Sequence, residues 1–228
     1  SFLDFSSGMG WKEFWKGFEF TVPFLLFLTV HEFGHYFTAR KWKINVTLPY
    51  YIPLWLGVIT SIGTMGAFIR IKDKLNSRKK YFDIGVSGPL AGFFVAIGVL
   101  YYGFTHLPTL EFLFQIHPEY KIFGEHYAKF VYLDEANLMA VHLGDNLIFD
   151  LFKNNIADPK LLPHPNEITH YPLLFAGYLG LFFTALNLIP IGQLDGGHIL
   201  FSLIGDKAFR IVSPILFYAF IFYAGLGL

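Results

Sequence analysis

The 228-residue chain has no cysteine. That excludes disulfides and thiolate metal sites, so any bound metal would be held by His, Asp or Glu. Charge is scarce as well: 15% of the residues are Asp, Glu, Lys or Arg, against about 25% in soluble domains. The two signs balance at 17 acidic and 17 basic residues, which leaves no basic surplus to recruit nucleic acid. Apolar residues fill the space instead, 54% hydrophobic and 20% aromatic, with 28 Phe. This is the composition of a chain that meets lipid. The first 17 residues mix charge with aromatics and lack the apolar core of a cleavable signal peptide.

Crossing a bilayer core of about 30 Å takes about 20 helical residues. Four stretches qualify: 18–38, 84–104, 171–191 and 211–228, the last three free of charge. A fifth apolar stretch, 48–70, reads differently. Basic residues precede it (Arg40, Lys41, Lys43) and follow it (Arg70, Lys72, Lys74, Arg78, Lys79, Lys80), and basic loops stay on the cytoplasmic side. Both of its ends then share that side. Pro49, Pro53, Gly57, Gly63 and Gly66 oppose a long helix, while Val58, Ile59, Thr60, Ile62 and Thr64 favour strand. A membrane-dipping β-hairpin follows. Residues 105–170 carry nine acids and four bases and are placed on the opposite, extracytoplasmic side, with an amphipathic helix over 131–152, at the interface or half-dipping, and a loop at Pro159, Pro163 and Pro165. The expected fold is an all-α membrane protein: one domain over 1–228, a polytopic helical bundle of about four transmembrane helices, and a small β-hairpin after the first span.

Inside the first span lies His31-Glu32-Phe33-Gly34-His35. Ionisable groups are costly in hydrocarbon, so such a cluster marks a functional site by default. On a helix, His31 and His35 share one face and can bind one metal ion, with Glu32 close enough to reach a water on it. The bland alternative is a pair of satisfied core histidines. A catalytic metal of this type needs a third protein ligand. His106, His117, His126, His142, His164 and His170 all fall in the outer segment, on the wrong side. Asp195, just past the third span, reaches the right depth, because Pro190 and Gly192 break the helix before it. Its alternative role is a helix N-cap at the membrane surface.

Together, His-Glu-x-x-His on one span and Asn187-x-x-Pro190-x-x-x-x-Asp195-Gly196 at the end of a later one resemble the site-2 protease family of intramembrane zinc metalloproteases. Ser87-Gly88-Pro89-Leu90-Ala91-Gly92 resembles that family's Gly-x-x-x-small motif, and Gly63-Thr64-Met65-Gly66-Ala67 its membrane-dipping sheet. Without the family, the glycines read as close helix packing by small residues. Order and spacing agree over residues 14–225. Two features depart from many relatives: residues 105–170 are too short and irregular for a PDZ domain, and these 228 residues contain no nucleotide-sensing segment.

The resemblance implies an integral, multi-pass membrane protease with its active site toward the cytoplasm. Zn2+ would be held by His31, His35 and Asp195. Glu32 would be the general base, and Asn187 would touch substrate or oxyanion. The alternative for Asn187 is an interhelical hydrogen bond, and for His198 either a partner behind Asp195 or a polar cap. The implied reaction is cleavage of peptide bonds within or near transmembrane helices, so the partners are a transmembrane substrate and the lipid bilayer, with no nucleic acid. A helical substrate must unwind first, and the hairpin offers a strand edge to receive it. The other functional reading is a non-proteolytic membrane metal-binding protein or degenerate relative, against which the intact Glu32 argues, because metal binding alone does not require it.

Overall fold

The computed structural model describes residues 11–53, 64–73, 75–132, 144 and 146–225, which are mostly helical with one two-stranded sheet. In chain order these are α1 (Trp11–Lys41), β1 (Tyr50–Pro53), β2 (Thr64–Phe68), α2 (Arg78–Thr105), α3 (Leu110–Ile116), α4 (Tyr127–Val131), α5 (Leu147–Asn155), α6 (Pro172–Leu188) and α7 (Asp195–Gly225), with short 3-10 turns between α3 and α4 and before α6. Among the described residues, α2 is the one helix both long and apolar enough to cross a bilayer by length and composition; α6 is apolar but has 17 residues. Helix α1 carries His31, Glu32 and His35 in its second half, which lowers its apolar character. The chain divides into two compact units. One holds residues up to Pro23 and Ile97–Tyr178, the other Phe24–Ala96 and Leu179–Leu228.

In the second unit, α1 ends in a chain reversal that its backbone explains. The Ile44 N–H donates to the Ala39 carbonyl (3.0 Å) and the Lys43 N–H to the Arg40 carbonyl (2.9 Å). This is the Schellman pattern, which requires a left-handed residue at Lys43, φ 56°. Ala39 and Ile44 then close on Ile84 of α2 in a buried cluster flanked by Trp42, Val46, Ile71 and Leu75. The chain continues into β1, antiparallel to β2, pairing Tyr50 with Phe68 and Tyr51 with Ala67; the register slips between Ile52 and Pro53. Gly66, at φ 113°, takes up the irregularity, and its N–H donates to Thr64 Oγ1 at 3.0 Å. The expected hairpin is present at both its ends; the strand-favouring residues 58–63 lie outside the described residues.

The α6–α7 connection is shaped by what glycine permits. Gly196 and Gly197 open α7 where the carbonyls of Leu188 and Gly192 press directly on them, leaving no room for a β-carbon. The Gly192 N–H is tied to Ser213 Oγ at 2.9 Å. A fourth span was expected over 211–228; residues 211–225 are helical, as the latter part of α7, which starts at Asp195 and is interrupted once, at Gly205 (φ 78°, ψ 172°). That break frees helical carbonyls, and Arg78, the first residue of α2, answers it: its guanidinium donates to the Ser202 carbonyl at 2.6 Å and to the Leu203 carbonyl.

The first unit packs Leu113, Tyr120 and Tyr127 into a second core under Leu110 and Phe114, and sets Phe104 edge-on to Phe149. Of the amphipathic helix expected over 131–152, the structure has α5 from Leu147, capped by Asn146 Oδ1 accepting from the N–H groups of Ile148 (3.1 Å) and Phe149 (3.2 Å). Residues 133–143 lie outside the described residues.

Candidate metal centre

His31 and His35 sit one helical turn apart on the buried face of α1, both under 10% exposed. Their rings fit there because α2 presents glycines at the same spacing. Gly92 lies against His31 and Phe27, and a β-carbon on Gly88 would fall inside the His35 imidazole. Gly34, between the two histidines, packs on the Ser87 backbone and Ala91. The small-residue motif of α2 is therefore more than close helix packing, because it vacates the volume that the two imidazoles fill.

The histidine Nε2 atoms are 3.1 Å apart. Asp195, in the first turn of α7, brings Oδ2 to 3.3 Å from His31 Nε2 and Oδ1 to 3.3 Å from His35 Nε2. A carboxylate is at home there, because a helix N-terminus favours negative charge. Around a tetrahedral ion with bonds of about 2.0–2.1 Å, donor atoms lie about 3.3 Å apart. The two imidazole nitrogens stand near that spacing from each other and each from one Asp195 oxygen, and the donor set is the one a borderline divalent metal takes. His35 Nδ1–H donates to the Ile84 carbonyl at 2.7 Å. A carbonyl can only accept, so the proton is on Nδ1 and Nε2 keeps a lone pair for the ion.

Glu32 is buried beside this group, with the Ile69 backbone N–H, just past β2, facing its carboxylate. Asn187, in the last turn of α6, puts Nδ2 3.5 Å from His31 Nε2. His31, Glu32 and Asn187 open into a cavity of about 390 Å3, otherwise lined by Phe27, Leu186, Phe217, Phe220 and the β2 residues Thr64, Gly66 and Ala67. Five of the residues expected in the site thus come together from three helices. His198 does not join them: its ring packs 5.8 Å from that of Tyr81 on α2. The roles of Gly88 and of the Ile69 N–H were missed from sequence. The glycine spacing was the available signal for the first; backbone hydrogen bonds leave none for the second.

Residues 19–225 match the family model of peptidase family M50. Over 186 residues the chain is 30% identical to a protein of Oryza sativa subsp. indica named probable zinc metalloprotease EGY2, chloroplastic; the match covers 82% of this chain and 29% of that protein. The Arabidopsis thaliana protein of the same name is 29% identical over 182 residues, 80% of this chain and 28% of its own length. Arabidopsis thaliana probable zinc metalloprotease EGY1, chloroplastic, is 27% identical over 181 residues, 79% and 28%. The chain spans under a third of the length of these curated relatives. No solved structure matches it.

Proposed function

The chain belongs to peptidase family M50, and from that premise we propose that it is a zinc-dependent endopeptidase that cuts peptide bonds within or next to the transmembrane helices of membrane-protein substrates. The observation that carries this reading is the convergence of His31, His35 and Asp195, with the two Nε2 atoms 3.1 Å apart and each 3.3 Å from one carboxylate oxygen, beside a buried glutamate and a cavity. Zinc held by these three residues would supply a Lewis acid at neutral pH. Glu32 takes the proton of the attacking water and returns it to the leaving amine. The Ile69 N–H faces that carboxylate from one side. The Asn187 amide, beside His31, donates to the developing oxyanion. Apolar walls from Phe27, Leu186, Phe217 and Phe220 exclude bulk water, and β2 offers main-chain groups on the same cavity to a substrate segment that has lost its helical hydrogen bonds.

Membrane embedding belongs to the same proposal. Leu90 and Phe94 on α2 and Ile211, Ile215 and Phe222 on α7 point outward, 51–68% exposed. Apolar faces of that extent are stable against lipid and costly in water. The basic residues flanking the hairpin support a cytoplasmic position for the metal-bearing end of α1 in this reading. The test uses detergent-purified protein and a reconstituted transmembrane-helix substrate. Glu32→Gln should lower the cleavage rate at least about 100-fold while one zinc stays at this centre. Persistent cleavage by that variant would sink the mechanism.

A further inference from the structure

The first unit holds a second group of two histidines and a carboxylate, His117, Glu167 and His170, whose candidate ligand atoms all lie within 4.8 Å of one another. We propose that these three residues form a second, independent divalent-metal site, of the class that takes zinc. Local structure brings the donors together. Glu167 and His170 lie on the 3-10 turn Pro165–His170. With three residues per turn, positions i and i+3 eclipse, so both side chains leave the same face. His170 Nδ1–H donates to Glu167 Oε2 at 2.7 Å, a proton that an incoming cation would displace to solvent. His117, at the end of α3, approaches from across the unit and brings Nε2 to 3.9 Å from the same oxygen.

Three features make this more than a buried hydrogen-bonded cluster. First, Glu167 is 1% exposed, yet its two oxygens are divided: Tyr132 Oη donates to Oε1, and Oε2 is the one facing both histidines. Second, His117 Nδ1 pairs with Glu119 Oε1 at 3.1 Å. That contact puts the ring proton on Nδ1 and leaves the Nε2 lone pair bare, the carboxylate–histidine arrangement found behind metal-binding imidazoles. Third, His117 Nε2 is buried and has no hydrogen-bond partner among the described residues. A buried acceptor without a partner is destabilising. An ion at the centre of the group would satisfy it. Two imidazole nitrogens and one carboxylate oxygen are the donor chemistry of zinc, and His117, with its side chain 26% exposed, leaves a way in from solvent. The bound ion would cross-link the end of α3 to the turn that launches α6.

The test counts metal on the whole chain. Protein stripped with a chelator is loaded with Zn2+ and desalted, and metal per chain is measured for the parent, for His31→Ala/His35→Ala and for His117→Gln. The expected counts are two, one and one, with at least about tenfold weaker Zn2+ binding at the second site in His117→Gln. Because His117 is partly exposed, that variant keeps the fold, which circular dichroism verifies; His170→Ala repeats the loss from the other side. One ion in the parent, lost with His31→Ala/His35→Ala, would overturn the proposal and leave the first centre standing. Two ions unchanged by His117→Gln and His170→Ala would overturn it as well. One ion that survives His31→Ala/His35→Ala and goes with His117→Gln would support it and overturn the reading of the first centre.

Discussion

His31, His35 and Asp195 on one side, and His117, Glu167 and His170 on the other, offer the same donors held by different means. In the first group two histidines ride one α-helix at i and i+4, and the carboxylate comes from the start of another helix. In the second the carboxylate and a histidine share a 3-10 turn at i and i+3, and the lone histidine comes from a helix end. Their donor spacings differ accordingly, 3.1–3.3 Å in the first against 2.7 and 3.9 Å in the second. The first is already near tetrahedral edge lengths, whereas the second must draw one donor in and let another out. The orienting groups also differ. Backbone holds His35, through the Ile84 carbonyl, while the Glu119 side chain holds His117. A site fixed by backbone and glycine contacts is stiff and suits catalysis, which requires fixed geometry. One fixed by side chains gains more of its order from the ion itself.

The sharpest way to separate the two is Asp195→Ala. It removes a donor from the stiff group, and Zn2+ affinity there should fall more than about 100-fold, since even indirect partners cost 10–100-fold. Cleavage should vanish with it, and the His117–Glu167–His170 ion should stay. Equilibrium dialysis with the parent alongside reads the outcome; undiminished binding would mean that a different third ligand completes the first centre. Next in size is Gly88→Ala. The added methyl has to displace the His35 ring, so metal affinity at the first centre should fall about 10–100-fold. If binding is unchanged, α2 yields more readily than the packing implies.

These differences also decide what could be read before the structure. His-Glu-x-x-His is legible because its spacing is the α-helical period, and residues 18–38 look helical on apolar content alone. Asp195 was legible because Pro190 and Gly192 announce a break. The start of α7 was not. Gly196 and Gly197 oppose helix by propensity, and only the carbonyls pressing on them reveal why they stand there. Glu167-x-x-His170 carries no signal either, because i,i+3 marks one face only once the turn is known to be 3-10. His117 lies far from both in sequence, and the side of the membrane assigned to residues 105–170 ruled it out for the first centre without suggesting another.

Glu119→Gln tests the softer group. Glu119 is exposed and touches no donor except through His117 Nδ1, so it acts by positioning. The neutral amide still offers an acceptor oxygen but gives up the charge that makes the imidazole a better ligand. Zn2+ should bind the second site about tenfold more weakly, with affinity at the first centre unmoved. Equal weakening at both would mean that the two are coupled, contrary to the separate construction argued above.

The smallest effect returns to α2, where two helical glycines make opposite predictions from one substitution. Nothing lies within 4 Å of a β-carbon built on Gly98, whereas Gly88 meets His35. In the helix interior alanine is better than glycine by about 0.8–1.0 kcal/mol. Gly98→Ala should therefore leave metal binding and cleavage untouched and raise thermal stability slightly, while Gly88→Ala weakens the hold on the ion. Thermal unfolding of the two variants with and without Zn2+ measures both effects. Zn2+ should protect Gly98→Ala as much as it protects the parent and Gly88→Ala much less, since protection scales with the occupancy each site reaches. If the two variants behaved alike, helix propensity would be setting the response, and the glycine at 88 could not be there to make room for the imidazole.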